Sequence, residues 1–455
     1  MGIRVKLAAS MLALGISALS LGAAQAQSIS QALTIAYDHA PDLKAALLSA
    51  KSAAENVALA KAATRPTLGA SFGGTQSYAL PANSNQWSDS TVFNAGLAYN
   101  QTIFDNGKTD AQIEAARASA EAAEYQIRNV EQNVLLAVVQ AYMNVLTNRQ
   151  QVALRQENLA FYQAQSRSAQ DRLDVGEGTR IDVAQAQARL AQGEATYRAA
   201  LASLEISQAS FQRYVGVAPR NLDSSHNFAR LIPSTLQAAL AEAEIAHPAI
   251  KLSKAAIRAA QAGADGAASG GGLNASVSGQ VGNRWTVGGG VQDGLSASLG
   301  FSVTIPLYAG GAIGARVRQA NIEQIKSEVD AMSAYDKIRE AVISAWAGIQ
   351  SADAQISAAN AAVAASRTVL DGVVQERDLG SRTTLDVLNS QADLTTARES
   401  LISATSNKVV ATFSLLAAIG KLTPQDLGLN VEVKSASRYN QAVEDVWQEL
   451  RTIAE

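Results

Sequence analysis

Cysteine is absent from the 455-residue sequence. That excludes disulfides and excludes anchoring through an acylated N-terminal cysteine. Only three histidines occur, His39, His226 and His247, and none has a neighbour at metal-ligand spacing. Proline is scarce (8 residues) and aromatic residues make up 5% of the chain, a composition suited to long helices packed by small side chains. A net charge of −3 is too small to point to nucleic acid or an anionic lipid surface as partner. Beyond the first two dozen residues no uninterrupted apolar run approaches the roughly 18 residues of a spanning helix. Any membrane segment therefore has to be a β-barrel.

Enzyme signatures are missing too. The run Ser269-Gly-Gly-Gly272 lacks the Lys-Ser/Thr of a phosphate loop, and a strand pattern follows where a helix should. It reads instead as a flexible joint. No nucleophile elbow or paired-carboxylate spacing stands out, so no catalytic residue, cofactor or metal is expected.

What is present begins with an export signal. Arg4 and Lys6 precede an apolar run from Leu7 to about Leu21, and Ala24-Gln25-Ala26 supplies a small-x-small cleavage site. Residues 1–26 are thus set aside as a signal peptide.

The remainder is one unit written twice, at an offset of just over 200 positions. Pro41 falls on Pro248. Thr102-Ile-Phe-Asp-Asn-Gly107 matches Thr304-Ile-Pro-Leu-Tyr-Ala-Gly310 with one residue slipped. Val175-Gly176 and Asp182-Val183 match Leu379-Gly380 and Asp386-Val387, and Tyr214-Val-Gly216 matches Ala418-Ile-Gly420. Alanine-rich helices look alike by chance, but the Gly and Pro landmarks do not. The expected organisation is a first repeat over 27–220, a linker over 221–234, a second repeat over 235–425 and a C-terminal equatorial segment over 426–455.

Each repeat reads helix, two strands, long helix, helix. Residues 109–172 contain no proline, and Leu135, Val138, Tyr142, Val145, Val152 and Leu159 mark a packing seam. Val342, Trp346, Ile349, Ile356 and Val363 repeat it. The strands are expected at about 66–78, 91–104, 272–285 and 294–307. Along 295–305, Leu295, Ala297, Leu299, Phe301, Val303 and Ile305 share one face, opposite Ser296, Ser298, Gly300, Ser302 and Thr304. The other three segments alternate likewise, as a transmembrane barrel wall does. A soluble sheet half covered by helices would show the same alternation. Tyr78, Tyr99 and Trp285 stand where an interfacial aromatic girdle would lie. Polar loops near 80–90 and 286–293 read as hairpin tips. Four strands cannot close a barrel, and open edges in lipid leave backbone groups unpaired. Three copies would supply twelve strands.

These features together resemble the TolC family of outer-membrane efflux and type I secretion channels over nearly the whole mature chain. The most specific motif is Leu379-Gly-Ser-Arg-Thr-Thr-Leu-Asp-Val-Leu-Asn389, with Val175-Gly-Glu-Gly-Thr-Arg-Ile-Asp-Val183 as its first-repeat counterpart. The resemblance implies a mainly α protein with a 12-stranded trimeric transmembrane β-barrel and a long α-helical periplasmic tunnel. It implies a passive exit duct in the outer membrane, a homotrimer docking a periplasmic adaptor (membrane fusion) protein and an inner-membrane ABC or RND pump. By the same resemblance Asp386 matches the first aspartate of the family's pore constriction, and Asn389 stands where the second would be. Asp182 and Arg382 match positions whose links close the entrance. Arg377 replaces a tyrosine there, which makes an Arg377–Asp182 salt bridge the expected closing link.

The same residues have a plainer reading. Thr179 with Asp182, and Thr383 with Asp386, each form the pattern of a helix capping box, in which the acid needs no gating role. Residues 434–455 form an amphipathic stretch, with Tyr439, Val443, Val446, Trp447, Leu450 and Ile453 on one side, expected to girdle the middle of the tunnel. The competing reading of the whole is an exported structural coiled-coil or adhesin-like surface protein. The four strands discriminate, since a filament needs no strands that are apolar on one face.

Overall fold

A computed structural model describes residues 27–83, 86–223, 228–287 and 293–446. The signal segment, the centres of both hairpin tips, and Trp447, Leu450 and Ile453 lie outside the described residues. The described chain runs α1 (Ile29–His39), α2 (Pro41–Ala62), β1 (Thr67–Ala79), β2 (Ser88–Phe104), α3 (Lys108–Asp174) and α4 (Arg180–Val215). After a short 3₁₀ turn (Phe228–Leu231) it repeats the pattern: α5 (Leu236–Ala246), α6 (Pro248–Ser269), β3 (Asn274–Val287), β4 (Gly294–Thr304), α7 (Ala312–Asp378) and α8 (Thr384–Ala418). A last helix, α9 (Ser437–Glu444), follows.

The long helices α3 and α7 have 67 residues each, about 100 Å of rod at 1.5 Å per residue. Neither is broken by Gly or Pro within a packed turn, and alanine, serine and glutamine let neighbours approach on two sides. Along one half of its length α3 packs on α2 and α6, and along the other on α4 and α8; α7 does the same with α6 and α8. Prolines at the first position of α2 and α6 start those helices, and the glycines at 216 and 420, both at positive φ, stop α4 and α8. The short helices therefore stack end to end at the waist, opposite the unbroken long ones.

The main core lies at this waist. Leu135, Val138, Tyr142 and Val145 of α3 are buried against Ile29, Leu33 and Tyr37 of α1, Phe211 of α4 and Phe413 of α8. Below it the seam changes phase. The buried residues of α3 are Leu154, Asn158 and Tyr162 rather than Val152 and Leu159, because the partners are now α4, whose Gly193 faces Tyr162, and α8, whose Gln391 donates to Asn158 across 3.0 Å. Among the described residues α8 is the one helix long and apolar enough to cross a membrane, yet Val409, Phe413, Leu415 and Leu416 bury it in the waist. A fully buried carboxylate, Glu131, also sits there. It accepts from the Tyr37 hydroxyl (2.8 Å) and from Arg128 (2.9 Å), and desolvation raises its pKa against the pull of Arg128.

The C-terminal segment is described as far as Val446. It starts at the waist, where Ala436 N–H donates to Glu124 and Lys434 N–H to the Tyr37 hydroxyl. It then runs along α2 and α3. Glu444 pairs with Lys61 (3.0 Å) and Arg117 (2.7 Å), and Arg65, at the base of the strands, donates to the Val446 carbonyl. Complementary charges on α2 and α3 draw it towards the sheet.

Candidate functional site

The four strands form one antiparallel sheet in the order β1-β2-β3-β4. Its register decides which side chains share a face. Ala70 pairs with Leu97, Leu97 with Val281, and Val281 with Ala297. One row nearer the helices stand Leu68, Tyr99, Gly279 and Leu299; one row nearer the tip stand Phe72, Ala95, Asn283 and Leu295. Because side chains alternate, Leu68, Phe72, Phe93, Leu97, Val281, Trp285, Leu295, Leu299 and Phe301 fall on one continuous face. The opposite face carries Ser71, Thr75, Asn94, Asn100, Ser278, Gln280, Ser296 and Ser298. A bulge between Thr102 and Phe104 brings Phe104 opposite Ala275, ending the strict alternation at the helical side.

No described element covers the apolar face. Leu299 is 83% exposed and Phe72 76%. A soluble sheet of this kind would have helices across it, and here both faces are bare. Trp285 and Tyr78 lie towards the tip, Trp285 opposite Phe93 and Tyr78 opposite Asp89. Tyr99 lies on the helical side of mid-strand, so the three aromatics do not form one level. Among the described residues, no strand lies beside the outer edges of β1 and β4.

The other end of the molecule is formed by two helix hairpins. At each, a glycine in the left-handed region (Gly176, φ 82°; Gly380, φ 81°) ends the long helix, and a complete capping box starts the short one. Thr383 N–H and Oγ1 donate to Asp386 Oδ2 at 2.9 and 2.8 Å, while Asp386 N–H donates back to Thr383 Oγ1. Those donors, assisted by Arg382, hold the Asp386 carboxyl below the ordinary carboxylate range. Its charge is therefore present at neutral pH and is lost only as pH falls through the lowered value. Thr179 and Asp182 repeat the geometry.

The expected Arg377–Asp182 salt bridge does not form within the chain. Arg377 reaches across from α7 to α3, where its Nη1 donates to Gln165 Oε1 (2.6 Å), and it pairs with Asp378 (2.8 Å). Asp182 is turned into its own helix cap. Arg382 pairs with Glu376 (2.8 Å). Asn389 accepts from Arg189 of α4 (2.9 Å), so the two short helices are joined near their starts. Sequence reasoning missed Gln165 and Arg189, because neither lies in a motif and only the packing of α3 and α4 brings them to these partners.

A concavity lies elsewhere. A cavity of about 580 Å3 opens at the waist between α3, α7 and α8, lined mostly by small or neutral side chains such as Asn129, Ser344, Asn407 and Ser414. His247 borders it, with its pKa pushed down to about 4 by burial, so it is neutral at physiological pH. Among the described residues no group of three potential metal ligands occurs.

Comparison with known proteins finds the same two-repeat organisation. The family model described as outer membrane efflux protein matches the chain twice, over residues 32–217 and 239–421, one match to each repeat. The outer membrane efflux protein BepC of Brucella suis is 38% identical over 440 residues, covering 94% of this chain and 93% of the relative. The outer membrane protein TolC of Escherichia coli is 27% identical, covering 91% and 85%. Among solved structures, the CmeC outer membrane channel of Campylobacter jejuni superposes with a TM-score of 0.76 at 16% identity, covering 92% of this chain and 89% of that one.

Proposed function

The chain belongs to the outer membrane efflux protein family, and from that premise we propose that three copies assemble into one exit duct. As a member it is a passive outer-membrane channel protein, not an enzyme, and its helical tunnel extends into the periplasm. In the proposed trimer each chain gives four strands to a twelve-stranded barrel, with the apolar face towards lipid and the serine- and asparagine-rich face towards the lumen. The observation that carries this reading is the single uncovered apolar face running across all four strands. The unpaired edges of β1 and β4 support it, since each needs a strand from another copy inside a bilayer. So does an exposed stripe on α7, Ile322, Ile325, Val329 and Met332, whose spacing of three and four is that of a helix seam without its partner.

The hairpin end is then the periplasmic entrance, with Asp386 facing the pore, the bond from Arg377 to Gln165 holding α7 against α3, and Arg382 bracing its own hairpin. Tyr78, Tyr99 and Trp285 would anchor the barrel at the membrane interfaces. The chain has no nucleotide-binding loop to drive transport. We place it downstream of a periplasmic adaptor and an inner-membrane pump, in efflux or type I secretion.

Planar-bilayer recording of the purified, detergent-extracted protein tests this. Single-channel currents are expected, and Arg377→Ala is expected to raise the open probability by freeing α7 from Gln165 of α3. Soluble fibres without conductance would refute the duct. Unchanged gating in Arg377→Ala would refute the closing role of that residue alone.

A further inference from the structure

Arg189 sits on α4, two turns beyond the Thr179–Asp182 cap. Its Nη2 donates to Asn389 Oδ1 at 2.9 Å and its Nη1 to Gln192 Oε1 at 3.3 Å. Both acceptors are neutral amides, and among the described residues no carboxylate forms an ion pair with it. Its neighbours at this end differ, since Arg377 and Arg382 are ion-paired with Asp378 and Glu376. An amide therefore fixes the position of the Arg189 guanidinium without cancelling its charge. A carboxylate at position 389 would have done both.

Asp386 lies three residues before Asn389 on α8, about one helical turn away along the axis. The fixed negative charge of Asp386 and the fixed positive charge of Arg189 thus occupy nearly the same level. A small ion that passes within the roughly 8–10 Å over which charges act in physiological salt experiences their sum. Counting this pair alone, with one of each per chain, three chains contribute three of each and the two cancel.

We propose that Arg189, positioned by Asn389, is a specificity-determining residue of the entrance. It offsets the Asp386 charge and leaves the constriction nearly indifferent to the sign of a small permeating ion. This rests on the proposed channel and on Asp386 facing its pore. A neutral net field admits cargo of either charge, whereas an uncompensated acid ring would concentrate cations and repel anions.

The test is the potassium-to-chloride permeability ratio of the reconstituted full chain under a KCl gradient. The wild-type ratio is expected to be about 1. Arg189→Gln should raise it at least about threefold by unmasking Asp386. Arg189→Lys, which keeps the charge, should leave it near the wild-type value. Asn389→Asp should also raise it, without touching the arginine. A strongly cation-selective wild type, or an Arg189→Gln channel with unaltered selectivity, overturns the proposal. Wild-type protein that conducts nothing would instead bring down the channel reading on which it rests, so the two failures are distinguishable.

Discussion

Leu97→Arg is expected to abolish assembly in the outer membrane, while Gln280→Arg, almost beside it in the sheet, leaves assembly intact. Leu97 stands at the middle of β2 and pairs with Val281 on the apolar face. Gln280 pairs with Ala98, one residue further along β2, and points to the opposite face. An arginine facing lipid at mid-bilayer costs about 2–4 kcal/mol, and three chains would bring three of them into one barrel. An arginine on the lumen face remains hydrated, and it changes the field inside the pore rather than the stability of its wall. Membrane fractionation followed by electrophoresis of unheated samples reads the outcome. Loss of oligomers in Leu97→Arg alone fits the face assignment. Equal tolerance of both, or loss only in Gln280→Arg, contradicts it.

The second large effect belongs to the waist. Gly420 follows α8 with φ +81°, and a Cβ there would lie 2.9 Å from His247 Cα and 3.1 Å from the Ala246 carbonyl carbon. Both are backbone atoms of the joint that starts α6. Gly420→Ala must therefore either abandon the left-handed turn or push α6 off the end of α8, at about 2–5 kcal/mol. Gly216 is its counterpart in the first repeat, at φ +87°, but the Cβ there would meet the His39 ring, at 2.6 Å. A side chain at the end of a short helix can swing aside, so Gly216→Ala retains mainly the backbone penalty, about 1–3 kcal/mol. The dissociation temperature of the assembled protein should fall in both variants and further in Gly420→Ala. The reverse order would mean that the two joints are not built as described.

Much of this was legible in the sequence because its landmarks are backbone requirements. Proline at the starts of α2 and α6, glycine at positive φ after α4 and α8, and Thr-x-x-Asp at the two hairpins act locally and need no neighbour to be read. The alternation of the strands was legible for the same reason, as period two is a property of one chain. What could not be read depends on which elements meet. The seam of α3 shifts from Val152 and Leu159 to Leu154, Asn158 and Tyr162 because α4 and α8 replace the waist as its partners. Arg377 finds Gln165, 212 positions away, in place of Asp182. The C-terminal segment follows α2 and α3 because Lys61 and Arg117 on those helices meet its Glu444, which no local pattern in 434–446 reveals.

A cysteine-free chain offers a direct test of the trimeric barrel. Within one chain β1 and β4 are three strand spacings apart, about 14 Å at 4.7–4.9 Å each, beyond the ~7 Å between α-carbons that a disulfide spans. Cysteines introduced in pairs, at Ser71 of β1 scanned against Ser296, Ser298 and Ser302 of β4, can therefore bridge only between copies. Oxidation of the membrane-embedded protein, followed by denaturing electrophoresis, should give for at least one pair a covalent ladder that stops at three chains. Monomers alone across the whole scan, or a ladder that continues past three, would contradict a barrel closed by three copies.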